Sequence, residues 1–192
     1  MRASREVPVV VVGRPAQATS VDSVADDDAA GALLVVKHCV SLGHRRIAHI
    51  AGPADTSTGR ARSMGLHQAL ARLGVTIAPA LDVVTDTYAI AEGVRAARRL
   101  LMSGEPFSAV VTGNDLLALG AIDVLRENRI DCPAQVSVTG FNDLPMMDRV
   151  TPALTTVRVP QYAMGRAAAQ LLMDQLLGTH GDAPGAQVRH VV

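Results

Sequence analysis

Short runs of Val, Ile and Ala recur along this chain, separated by longer stretches with helical spacing, and this alternation constrains the fold more than any other feature of the sequence. Strands that lie parallel need crossover connections of a dozen or more residues, usually helical. Covered by helices on both faces, such strands read as near-continuous apolar runs. The runs Val7–Val12, Ile47–Ala51, Leu81–Thr85, Ser108–Val111, Val136–Thr139 and Leu154–Val157 are therefore predicted as strands. Helices are predicted over about 28–42, 58–73, 89–102 and 116–128, with a fifth after Pro160, and Gly43, Gly74, Gly104 and Gly178 stand where helices stop. In the fourth, Leu116, Leu119, Ile122 and Leu125 mark the expected inner face. In the fifth, Met164, Ala168, Leu171, Leu172 and Leu176 do so. The acidic run Asp26 to Asp28 falls where a helix dipole favours negative charge. Gly178–Gly185 reads as a loop.

Composition then removes whole classes of function. At 192 residues and 48% apolar, the chain can bury a sizeable core as one domain or two small lobes. Lys+Arg and Asp+Glu stand at 18 each, so no basic footprint for nucleic acid exists. Aromatics at 2%, with no Trp, leave no platform for stacking bases. Two cysteines, Cys39 and Cys132, make no disulfide framework, and a reducing, cytoplasmic setting is expected. The apolar run at Val9–Val12 is too short for a signal peptide, and no stretch reaches the ~18 residues a membrane span requires.

Catalytic and metal signatures are missing. There is no G-x-S-x-G elbow, and the loop framed by Gly52 and Gly59 lacks the spacing and Lys of a phosphate-binding loop. His38, His44, His49, His67, His180 and His190 fall in no short ligand motif, so no metal site is expected. Asp26 to Asp28 lack the ligand alternation of a calcium loop, and capping is the expected role. Polar residues instead gather just past the predicted strand ends, where open α/β sheets bind ligands. Thr58 and Arg62 follow the second predicted strand, Tyr88 the third, Asn114 and Asp115 the fourth, and Asn142 and Asp143 the fifth. Taken singly, each fits a turn former or cap. Taken together, an Arg fork, Asn amides and a Tyr face suit a polyhydroxylated ligand.

Five stretches then carry a resemblance. Val40-Ser-Leu-Gly-His-Arg-Arg-Ile-Ala-His-Ile-Ala-Gly-Pro53, Arg62-Ser-Met-Gly-Leu66, Gly113-Asn-Asp-Leu-Leu-Ala-Leu-Gly-Ala121, Val136-Ser-Val-Thr-Gly-Phe-Asn-Asp143 and Thr151-Pro-Ala-Leu-Thr-Thr-Val157 resemble, in order and spacing, the effector-binding domain of LacI/GalR transcriptional regulators. The likeness runs from about Val7 to Val192. It implies an α/β fold of the periplasmic-binding-protein-like kind (type I), with two parallel-sheet lobes and an effector cleft. By analogy, residues 1–25 are a remnant of the N-terminal lobe, 26–157 the C-terminal lobe, 158–178 a helix returning to the N-terminal lobe, and 179–192 a loop and the start of a final strand. The N-terminal lobe is expected to be incomplete, the helix-turn-helix headpiece missing, and the chain truncated at both ends.

The resemblance also implies a function. The expected role is ligand sensing for a regulator, through Arg62, Asn142, Tyr88, Asn114, Thr58 and Asp115, with no cofactor and no catalysis. Expected partners are a small polar effector, a sugar or sugar derivative; a second copy in a homodimer; and DNA only through the headpiece, with no membrane. Sugar-responsive members often carry an acid where the first strand here ends at Gly13, and another at the place of Asn142. Both positions are neutral here, which widens the ligand class to phosphosugars, sugar acids and nucleosides. A transport binding protein is the alternative, and it would need a secretory signal or lipoprotein Cys. A dehydrogenase-like enzyme would need G-x-G-x-x-G after the first strand, where Gly13-Arg-Pro15 stands. Arg62, expected to be an exposed ligand contact, should matter little to folding.

Overall fold

A computed structural model describes residues 7–14, 21–178 and the backbone of 188–191. The chain divides into two compact units, Met1–Asp27 with Pro160–Val192, and Asp28–Val159. Past Gly178, the loop read from the sequence lies outside the described residues, as does Pro15. Among the described residues no helix is long and apolar enough to cross a membrane.

The first unit is a parallel sheet of β1 (Val10–Val12), β2 (Asp22–Asp26) and β8 (Val188–Val191), in the order β1-β2-β8. Helix α5 (Gln161–Leu177) lies against β1 and β2. It turns in Met164, Ala168 and Leu171 and ends at Gly178, whose φ of 67° is the left-handed cap a glycine adopts without strain. Leu176, expected on the inner face, is exposed instead. Strand β2 was not expected from the sequence. Its Asp22 and Ser23 are buried in mid-sheet, where Gln175 Nε2 donates to Asp22 Oδ2 at 2.8 Å.

The second unit holds five parallel strands in the order β4-β3-β5-β6-β7: β3 (Ile47–Ala51), β4 (Asp82–Val84), β5 (Ala109–Thr112), β6 (Ser137–Asn142) and β7 (Thr155–Arg158). The pleat sends alternate side chains to opposite faces. Ala48, Ile50, Val110 and Val138 pack under α3 (Ile90–Met102) and α4 (Asp115–Glu127). Ile47, Ala109 and Val111 pack under α1 (Asp28–Ser41) and α2 (Ser57–Arg72). Each fully buried Ile, Leu or Val contributes about 1.5–3 kcal/mol, so these two apolar layers dominate the unit's stability. Crossovers of helix length between parallel strands return every strand's C-terminal end to one edge.

On α4 the structure differs from the expected face. Leu117, Ala118, Ala121, Val124 and Leu125 are buried, while Leu116 and Leu119 are half-buried. The helix is covered by the sheet on one side and by α3 on another, so its buried arc is wider than a single stripe. The two helices approach closely because glycines meet at their crossing: a Cβ on Gly93 would collide with the Leu117 carbonyl, and one on Gly120 with that of Ile90.

Candidate functional site

The polar residues at the C-terminal ends of β3, β5 and β6 are placed by the glycines and caps of this unit. Thr56 caps α2, its Oγ1 accepting from Gly59 N at 3.0 Å and donating to the Pro53 carbonyl at 2.9 Å. That start fixes the second turn of the helix, which carries Arg62. The Arg62 side chain does not extend into solvent. Its Nε donates to Asp28 Oδ1 at 2.7 Å, its Nη1 donates to the Gly113 carbonyl at 2.9 Å, and the guanidinium carbon lies 3.9 Å from the Phe141 ring centroid. Gly31 in α1 leaves the space that the Phe141 ring fills. Arg62 is 9% exposed, and Asp28 is equally buried at the first position of α1, where the helix dipole favours its charge.

This corrects the expectation for Arg62. An arginine buried in a paired, stacked fork is part of the unit's interior, and its removal takes a 2.7 Å charged donor from a buried carboxylate. Asp28 also does more than stabilise a helix start. From the sequence Asp28 reads only as a helix-start residue and Phe141 only as part of the Val136–Asp143 motif, neither as a member of the site, although Phe141 is one of only two Phe in the chain and directly precedes Asn142.

Tyr88 lies against the same corner. Its ring occupies the space a side chain at Gly52 would need, and a Cβ on Gly113 would lie 2.7 Å from the Gly52 backbone nitrogen. Thr85 holds the turn that presents it, its single hydroxyl proton shared between the carbonyls of Ala51 at 2.8 Å and Thr87 at 3.0 Å from Oγ1. Burial pushes the Tyr88 phenol above its ordinary value, against the neighbouring Arg62 charge, which lowers it, and the hydroxyl is buried with no hydrogen-bond partner among the described residues. Arg62, Tyr88 and Asp28 thus form one electrostatic group.

The other expected residues have different surroundings. Asn114 caps α4, its Oδ1 accepting from Leu117 N at 2.9 Å and its Nδ2 donating to the Tyr88 carbonyl at 3.4 Å. Asp115 is fully buried and accepts from Leu144 N at 2.7 Å and from Thr156 Oγ1, anchoring the loop after β6. Thr58 is half-buried in the first turn of α2. Asn142 ends β6 with φ 119°, followed by Asp143 at 56°, a sharp departure that non-glycine residues adopt only under local constraint. Its carbonyl accepts from Val159 N at 3.2 Å, and Asp143 pairs with Arg158. The histidines, expected to make no ligand cluster, are partly brought together elsewhere: His49, His67 and Asp82 meet between β3, β4 and α2.

Asp115 yields a direct expectation. Asp115→Ala leaves the Leu144 N–H and the Thr156 hydroxyl without their acceptor, at about 1–3 kcal/mol for each group stranded, read by urea denaturation. Burial raises the Asp115 carboxyl above the usual range, ahead of the hydrogen bonds that lower it. A raised carboxyl means that the folded state holds the proton more tightly. Wild-type stability should therefore fall relative to Asp115→Asn as pH rises from about 4 through the raised value.

Residues 36–192 match the periplasmic binding protein-like domain. The chain belongs to that family. Among curated relatives it is 36% identical over 175 residues to the HTH-type transcriptional regulator MalR of Streptomyces coelicolor, covering 90% of this chain and 51% of the relative. Among solved structures it is similar to the transcriptional regulator CelR in complex with cellobiose, with a TM-score of 0.85 and 33% identity over 94% of this chain and 55% of the other. It is also similar to the Lac repressor bound to ONPG, at a TM-score of 0.85 and 27% identity, covering 98% and 56% of the two chains. This periplasmic binding protein-like chain spans about half the length of the curated relatives it matches. Its matches fall on the effector-binding part of LacI-family regulators, as the five motifs implied.

Proposed function

We propose that this chain senses a small polar effector, a sugar or sugar derivative, for a LacI-type transcriptional regulator. The observation that supports it most is the joining of Arg62, Tyr88 and Asp28 at the C-terminal ends of β3 and β5, with Asn142 at the end of β6. A parallel sheet gathers ligands at that edge. Cellobiose on CelR and ONPG on the Lac repressor are the ligands of similar structures and point to the same class. In this reading Arg62, Tyr88, Asn142 and Thr58 contact the effector, while Asn114 and Asp115 position the loops that carry Tyr88 and Asn142. The regulator acts in the cytoplasm as a homodimer, reaches DNA through a helix-turn-helix headpiece and catalyses no reaction. Residues 1–27 and 160–192 belong to its N-terminal lobe, and 28–159 to its C-terminal lobe.

Two variants that spare the fold test the site. Tyr88→Phe keeps the ring and removes the hydroxyl; Asn142→Gly removes the amide at a backbone angle that glycine takes without strain. Calorimetric titration with a panel of sugars, sugar phosphates and nucleosides should find a ligand for the wild type. Each variant should weaken that ligand by about three- to tenfold. Equal affinity in both variants and wild type would place the effector elsewhere, and silence across the whole panel would remove the sugar class.

A further inference from the structure

We propose that His49, Asp82 and His67 form a binding site for a divalent transition-metal ion of the zinc class. The site shares no residue with the Arg62 cluster and does not rest on the sugar reading. His49 and Asp82 are direct neighbours in the parallel β3–β4 register. The pleat turns His49 to the same face as Ile47, the face under α2. His67 comes down onto that face from α2, five residues after Arg62. One carboxylate then serves two imidazoles: Asp82 Oδ1 lies 2.9 Å from His49 Nδ1, and Asp82 Oδ2 lies 3.0 Å from His67 Nε2. The rings stand edge to face, with centroids 5.8 Å apart.

Ligand chemistry and spacing both favour a metal. Two imidazoles with one carboxylate select zinc, copper, nickel or cobalt over magnesium and calcium, which prefer oxygen cages. Around zinc at 2.0–2.1 Å, tetrahedral ligand atoms sit about 3.3 Å apart. Here the three candidate ligand atoms all lie within 4.8 Å of one another, so shifts on the order of 1 Å would bring them into coordination. Three protein ligands leave a fourth position for water or a further donor. The site also has a floor and a mouth: His49 is 2% exposed, whereas the side chains of His67 and Asp82 are 45% and 28% exposed. A buried histidine in need of a partner is satisfied by one carboxylate. A second imidazole brought to the other oxygen of that carboxylate, at an open edge strand, is the arrangement an ion completes.

Binding exchanges hydrogen bonds for metal bonds with a simple balance. Without metal, the ring nitrogens of His49 and His67 that face Asp82 donate to its carboxylate, which can only accept. With metal, those two nitrogens present lone pairs instead, and each ring carries its proton on the other nitrogen. No proton is released from neutral rings, and one is released from any ring that starts charged. The ion would tie α2 to the β3–β4 edge, and α2 is the helix that carries Arg62.

The test uses the whole chain after chelator treatment and dialysis. Zn²⁺, Ni²⁺ and Co²⁺ are titrated by calorimetry, Co²⁺ also by its visible absorption, and thermal unfolding is followed with each ion. One ion per chain is expected, with a melting temperature raised by about 5–10 °C when free Zn²⁺ exceeds its Kd a hundredfold. His67→Ala changes a half-exposed helix surface and should fold. It should lose at least tenfold in affinity and most of the thermal shift. Asp82→Asn should lose a comparable amount, while His38→Ala, at an exposed position on α1, should bind as wild type does. Absence of binding by the wild type overturns the proposal. So does equal affinity in His67→Ala, or a loss in His38→Ala as large as in His67→Ala.

Discussion

Arg62→Ala is expected to lower the stability of the second unit by about 3–5 kcal/mol, the cost of breaking a buried ion pair from one side. The carboxylate of Asp28 would remain in the interior with its 2.7 Å donor gone, the Gly113 carbonyl would lose the 2.9 Å bond from Nη1, and the face of Phe141 would lose its cation. Arg62→Lys should fall between, since an ammonium cannot hold Asp28 and Gly113 in one planar fork. The double change Arg62→Met with Asp28→Asn should recover much of the loss, because replacing both members of a buried pair by neutral residues removes the buried charge as well. With no Trp in the chain, far-UV circular dichroism in urea is the suitable readout. A loss below about 1 kcal/mol in Arg62→Ala would show that the pair contributes no more than an exposed one. Effector affinity, measured where the variant is still folded, should drop by one to two orders of magnitude if the guanidinium also holds the ligand, at roughly 1.5–3 kcal/mol for a charged hydrogen bond.

The second large effect belongs to the crossing of α3 and α4. Gly→Ala inside a helix normally stabilises by up to about 1 kcal/mol. At Gly93 and Gly120 the sign should reverse. The added methyl at Gly93 meets the carbonyl of Leu117, and at Gly120 it meets the carbonyl of Ile90 and, at 2.7 Å, the amide nitrogen of Val94. These are backbone atoms that cannot rotate aside, so the helices must separate and the packing of Leu117, Ala118 and Ala121 against Ala96 and Ala97 opens with them. A loss of about 1–3 kcal/mol is expected for each alanine, and more for leucine. Gly165 in α5 supplies the control: among the described residues nothing lies within 4 Å of its would-be Cβ, so Gly165→Ala should stabilise. Since α4 begins with Asn114 and Asp115, the alanines at the crossing should also disturb the turn of Tyr88 and the loop after Asn142. Thermal unfolding of the three variants, compared with wild type, reads all three signs.

How far the sequence could be read depends on whether a residue's environment is local. Ile47–Ala51 and the five helix positions were legible because apolar runs, helical spacing and stopping glycines act over a few residues. Strand β2 was not, since Asp-Ser-Val-Ala-Asp looks like a polar approach to a helix, and only the flanking β1 and β8 with Gln175 make it a buried centre. The strand-end residues were legible as a group, but the side of the surface on which Arg62 lies was not. Its partners Asp28 and Gly113 are 34 and 51 positions away, and no pattern along the chain links them. The same holds for His49 with Asp82, 33 positions apart, which the β3–β4 register alone makes neighbours.

The first unit draws its sheet from both ends of the described chain, with β1 and β2 before residue 28 and β8 at Val188–Val191. During synthesis from the N-terminus, every residue of the Asp28–Val159 unit leaves the ribosome before β8 does. The second unit can therefore complete its five strands while β1 and β2 still wait for α5 and β8, and the closing of the β2–β8 ladder becomes the late, non-local event of folding. Chaperone demand and nascent-chain proteolysis should accordingly concentrate on β1 and β2 until β8 has emerged.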